Sequence, residues 1–183
     1  MLTYEQAMYH KLLFEAGMTD ETNATIEQLI EDENPLSDVA TELAYAGKDI
    51  NKLLSALNAY LEFAPIDSID MNAVFDQMRI HFFKAYESAP DDLGRLINDM
   101  YRVSEYAFAV DAEYRAPWWK FSFPDDNYSL YVADGYVSED EFRVWLKSFL
   151  TSGETEYEWI KGGARNGGIA GFFKKLFGIG AIS

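Results

Sequence analysis

Two histidines, His10 and His81, and 31 carboxylate side chains are the groups in this chain that could carry acid-base or metal chemistry, since there is no cysteine to act as thiolate nucleophile or ligand. Each histidine stands among aromatic or apolar neighbours on a separate predicted helix. Neither belongs to an HExxH or comparable ligand spacing, so a structural role is expected for both. The alternative is an enzyme or metal protein whose His/carboxylate site is assembled from distant helices, one that acts on nucleic acid included. A Walker-type phosphate loop, a G-x-S-x-G elbow and a dinucleotide fingerprint are all missing. Carboxylates are so frequent that finding two together says little about general acid-base work. No catalytic residue, metal or cofactor is therefore expected.

Charge is the strongest global feature. Against 31 acidic residues stand 15 basic ones, a formal net charge of -16. Residues 1–160 hold 11 of the basic residues and all 31 acidic ones, a balance of -20, whereas Lys161, Arg165, Lys174 and Lys175 give the remainder +4. Such a body repels nucleic acid and anionic membrane. Its acidic clusters are Glu31-Asp32-Glu33, Asp91-Asp92, Asp125-Asp126, Glu139-Asp140-Glu141 and Glu154, Glu156 and Glu158, the last interleaved with Tyr157 and Trp159. Carboxylates on successive helical turns repeat at about 5.4 Å, near the phosphate spacing of one nucleic-acid strand, and such a surface can compete for a nucleic-acid groove. Tyrosine and tryptophan beside them add rigid contact area.

The segment from Asp134 to Phe142, Asp-Gly-Tyr-Val-Ser-Glu-Asp-Glu-Phe, resembles the second half of a calcium-binding EF-hand loop. In that resemblance Asp134 is the fifth loop position, Gly135 the sharp turn, Val137 the apolar eighth, Ser138 the ninth and Glu141 the bidentate twelfth. Leu130 and Val132 depart from it, because they occupy the first and third positions, where the family has oxygen ligands. A capped turn into a helix explains the same residues without metal.

These groups must be positioned by helices. Thr3 with Gln6 forms a capping box opening a helix over residues 4 to 16, with Gly17 as its stop. A second, with Ile26, Leu29 and Ile30 on one face, ends at Asn34-Pro35, which also opens a third carrying Leu36, Val39, Ala40, Leu43 and Ala44 as far as Gly47. Asp49 caps a fourth through Ile50, Leu53, Leu54, Leu57 and Leu61, broken by Pro65. Asp70 and Asp91 start two more, with stripes at Met71, Val74, Phe75, Met78, Phe82 and Ala85, then Leu93, Leu96, Ile97, Met100, Ser104, Ala107 and Phe108. Past Ala116-Pro117, the stretches Trp118 to Phe123 and Tyr128 to Ala133 flank Pro124-Asp125-Asp126-Asn127 and read as a β-hairpin. Ser138 with Glu141 opens a further helix burying Phe142, Trp145, Leu146 and Phe149, and Thr155 to Ile160 alternates as a third strand. The expected fold is mainly α: a six-helix N-terminal bundle over about residues 1–115, a small α+β layer of β-hairpin and helix over about 116–161, and an amphipathic C-terminal tail.

Residues 162–171 read as a glycine-rich joint. Beyond it Phe172, Phe173, Leu176, Phe177 and Ile179 gather on one helical side, with Lys174 and Lys175 pointing away. This tail is expected to dock on its own domain, then, in falling order, to enter a partner's groove or lie on an anionic membrane. The start MLTYEQAMYHKLL lacks the features of a secretory signal, and the cytoplasm is the expected compartment. In composition the chain resembles acidic anti-restriction and anti-CRISPR proteins, DNA mimics and toxin-immunity proteins. The expectation is a non-enzymatic inhibitor of a basic protein, whether a nuclease, a toxin or another nucleic-acid-binding protein. An adaptor held by its cationic tail is a further alternative.

Overall fold

Most of the start and stop signals in the sequence become hydrogen bonds at helix ends. The computed structural model describes residues 2–32, 37–65 and 67–153, which are predominantly helical and include no strand. Before α1 (Tyr4–Glu15) the Thr3 hydroxyl accepts from the Gln6 N–H while the Gln6 side chain accepts from the Thr3 N–H. The helix closes on Gly17 at φ +83°, where Met18 N–H reaches the Leu13 carbonyl and Gly17 N–H that of Phe14. After α2 (Thr19–Asp32), α3 (Asp38–Ala46) begins later than the proline signal suggested, with Ser37 accepting from the Ala40 N–H. Asp49 and Asp70 cap α4 (Ile50–Glu62) and α5 (Met71–Ser88) as expected. At α6 (Leu93–Val110) the cap position is Asp92, one residue past Asp91, and its side chain makes no capping bond.

The contacts divide the chain into two units, Met1–Asn127 and Tyr128–Ser183. In the first, α1 packs against α2, α4, α5 and α6, and α3 against α2 and α4. One core cluster joins Leu2, Phe14, Ile26, Leu43, Leu53 and Leu57 across α1 to α4. Tyr60 fastens α4 to the chain start, its hydroxyl donating to the Leu2 carbonyl at 2.7 Å. A second, aromatic centre stacks Phe75 of α5 on Phe121, with Trp118 and Phe82 edge-on to it.

No β-hairpin forms. Trp118–Phe121 is a 3-10 turn, Phe123–Asn127 a short helix, α7, and Tyr128–Val132 a π-helical turn at the start of the second unit. Burial follows a spacing of three, Trp118 and Phe121 being enclosed while Trp119 between them is exposed, which suits a 3-10 turn and not a strand. Proline and aspartates at 124–126, read as a hairpin turn, instead open α7. Proline needs no donor there, and the N–H groups of Asp125 and Asp126 both reach the Ser122 carbonyl.

Asp111 makes this arrangement possible. Its carboxylate is completely buried just past α6 and accepts from Ala116 N–H at 2.9 Å, Trp118 Nε1 at 3.0 Å and Arg115 Nε at 3.1 Å. Between them Tyr114 adopts φ +54°, a left-handed conformation costing a side-chain-bearing residue about 1 kcal/mol. Arg115 also reaches Asp67 at 3.6 Å, tying this turn to the α4–α5 loop.

The second unit contains the π-turn and α8 (Glu139–Ser152). Ser138 and Glu141 form the expected capping box, Gly153 ends α8 in the left-handed region, and Phe142, Trp145, Leu146 and Phe149 are buried. Tyr128 packs edge-on to Phe142, and Trp145 stacks on Phe149. The expected third strand at 155–160, the joint and the cationic tail lie outside the described residues, and among the described helices none is long and apolar enough to cross a membrane.

Asp111→Ala should destabilise the protein by about 3–5 kcal/mol in urea unfolding, because it strands two buried N–H donors and removes the anion facing Arg115. Asp111→Asn keeps an acceptor and should lose clearly less. Equal losses for both would show that the network does not organise the turn.

Candidate functional site

The helices place the two histidines close together. Tyr9 and His10 lie on α1 and His81 on α5, with the Tyr9 hydroxyl hydrogen-bonded to His81 Nδ1 at 3.1 Å and the Tyr9 ring edge-on to both imidazoles. His10 is 3% exposed, and its Nδ1 has no hydrogen-bond partner among the described residues. Burial, and secondarily the charge of His81, holds its pKa down to about 4. His10 is thus a neutral core side chain at pH 7. His81 borders a cavity of about 130 Å³ together with Ser88, Asp92, Arg95 and Asp99. Burial pushes the Asp99 pKa up, and its ion pair with Arg95 at 3.5 Å opposes that shift. Among the described residues no three histidine or carboxylate groups are arranged to hold a metal ion.

The acidic clusters are spread over separate elements, and part of their charge is already engaged. Glu31 on α2, Asp91 and Asp92 ahead of α6, and Asp126 on α7 are exposed, with Asp125 half-buried. In the second unit Glu139 receives two bonds from the Arg143 guanidinium, at 2.9 and 2.6 Å. Glu141 accepts from the Ser138 N–H at 3.0 Å and the Ser138 hydroxyl at 2.8 Å, bonds that lower its pKa. These bonds make Glu141 part of the helix cap, and Glu139, Asp140 and Glu141 are all exposed. The EF-hand reading needs an extended loop from Leu130, but residues 128–132 are helical and Ala133 N–H bonds back to the Tyr128 carbonyl. The Asp32 side chain, Glu33, Glu154, Glu156, Tyr157, Glu158, Trp159, Phe172, Phe173, Lys174, Lys175, Leu176 and Phe177 lie outside what the structure describes.

A groove of about 840 Å³ in the first unit is lined by residues of α3 and α4 and those flanking them. Val39, Ala46 and Ala56 form part of its lining, with Tyr60 anchored by its bond to Leu2 and its ring against Tyr4. Two side chains on it, Tyr45 and Phe63, are 81% and 80% exposed. Asp38, Glu42 and Lys52 also line it, all three exposed, and Lys52 is paired with Asp49 at 3.8 Å. The helical stripes did not point to this groove, since Tyr45 and Phe63 belong to neither. A large aromatic off the buried stripe is the signal that was present. Comparison with protein-family models, curated proteins and solved structures finds no match for this chain.

Acid should act on the fold through His10. The unfolded chain protonates its imidazole below about 6.5, whereas the folded one holds out to about 4, so the unfolded state binds more protons in that window. Stability attributable to His10 is complete above pH 6.5 and is lost as pH falls toward 4, by about 3 kcal/mol. His10→Leu should remove that part of the acid sensitivity, read as the difference between wild-type and variant urea midpoints at pH 7 and pH 4. Parallel pH profiles for the two proteins would disprove it.

Proposed function

We propose that this chain is a binding protein that blocks a basic macromolecular partner, a nuclease, toxin or other nucleic-acid-binding protein, by presenting an acidic surface to the face that would hold nucleic acid. The observation that carries this reading is the charge: a balance of -20 over residues 1–160, with exposed carboxylates on α2, before α6, on α7 and on α8. Charge of one sign on a folded surface steers an oppositely charged partner and accelerates encounter, and it penalises acidic competitors. On α8 the carboxylates of Glu139, Asp140 and Glu141 stand in the first turn of a helix closed by a capping box, so that backbone loses little freedom on binding.

Affinity capture from a cell lysate with the full chain should recover one basic nucleic-acid-binding protein at about 0.05 M salt, and lose it at about 0.5 M, where screening shortens to a few ångströms. Adding the chain to that protein should inhibit its nucleic-acid binding. Capture that is indifferent to salt, or a captured protein that binds nucleic acid equally well in the complex, would reject this reading.

A further inference from the structure

The groove on α3 and α4 has the composition of a helix receptor. Its lining includes small or apolar residues such as Ala46, Ala56 and Ala59, which let another backbone approach closely, and its volume is in the range of built binding sites. Tyr45 and Phe63 are the two most exposed large apolar side chains among the described residues. Tyrosine and phenylalanine left in water on a concave surface lose solvent-exposed area when a partner closes over them, and each can bury about 150–250 Å². Tyr60 is hydrogen-bonded and ring-packed from below, so part of the groove wall is set before anything binds.

Charge selects the occupant. Asp38 and Glu42 stand exposed on the α3 side of the groove, and the cation there, Lys52, is shared with Asp49, which leaves the site acidic. An acidic, aromatic-flanked groove fits an amphipathic helix whose apolar side carries leucine or phenylalanine and whose flanks carry lysine or arginine. Resting on the reading of the chain as a binder of basic proteins, we propose that this groove is where a basic amphipathic helix of the partner docks, Tyr45 and Phe63 gripping its apolar anchors and Asp38 and Glu42 its cations. General acidity then brings the partner in, and the groove decides which segment is held.

The test uses a fluorescent synthetic peptide of about four helical turns built from leucine, phenylalanine and lysine with all lysines on one side, titrated into the full chain. The peptide should bind, and Phe63→Ala or Tyr45→Ala should each weaken it about tenfold, the loss expected for an aromatic contact residue. Tyr106→Ala, an exposed tyrosine of α6 away from the groove, should bind as the wild type does, and a peptide with glutamate in place of lysine should fail to bind. Both groove residues are exposed, so these variants should fold normally, checked by unchanged urea midpoints. If the peptide binds in a salt-sensitive way but Phe63→Ala, Tyr45→Ala and Tyr106→Ala behave alike, the groove proposal falls and the acidic-binder reading stands. If the peptide does not bind at all at low salt, the groove proposal falls as well. In that case the acidic-binder reading is judged by the lysate capture alone. A full chain that sediments as a dimer broken by Phe63→Asp would seat a second copy in the groove and overturn the proposal. So would a full-length Phe172→Asp/Phe173→Asp/Phe177→Asp variant that accepts a peptide the wild type refuses, since the chain's own tail would then be the occupant.

Discussion

A buried carboxylate sets the course of the chain after α6. Asp111 has no exposed surface, and an ion in that position is tolerated only when donors surround it. Burial raises its pKa, and the bonds from Ala116, Arg115 and Trp118 more than reverse that, leaving it below the ordinary carboxylate range. Because those donors come from the next seven residues, satisfying the charge forces the chain to curl immediately. The curl carries Trp118 and Phe121 onto Phe75 and Phe82 of α5, and their aromatic contacts hold α5 to the chain beyond α6. The left-handed Tyr114 is a local cost that this network offsets.

The same constraint explains the missing hairpin. Aromatic-rich runs on either side of Pro-Asp-Asp-Asn have the composition of two strands and a turn, and composition is a weak guide where packing decides. Asp111 fixes the direction of Trp118 through its indole nitrogen. Once Trp118 is committed inward, Phe121 follows three residues later, and a two-residue repeat can no longer satisfy both. Proline and aspartate then serve equally well at the first turn of α7.

Neutral and charged groups are divided between core and surface in a way that bears on the functional reading. His10 sits uncharged in the core next to an aromatic ring, and the cavity at His81 is small. Carboxylates occupy helix starts and open faces, and several do local work. Glu139 pairs with Arg143, and Glu141 closes the cap of α8. An acidic composition therefore overstates the charge available to a partner, and the groove beside Tyr45 and Phe63 concentrates apolar contact and free carboxylates in one place.

Helix by helix, much of this fold is written in short-range patterns of residues. Six N-terminal helices, both capping boxes and the glycine stops at Gly17, Gly47 and Gly153 were legible, because caps and apolar stripes act over three or four residues and are written locally. The acidic balance was legible for the same reason, being a sum over residues. Three things were decided only by tertiary structure. The first is the conversion of the apparent hairpin into successive helical turns, which depends on a carboxylate that meets its partners only once it is buried. The second is the pairing of Tyr9 with His81, 72 residues apart, which no local spacing could announce. The third is the groove on α3 and α4, since a concavity belongs to two helices at once and, of its lining, only Val39 stands in either stripe.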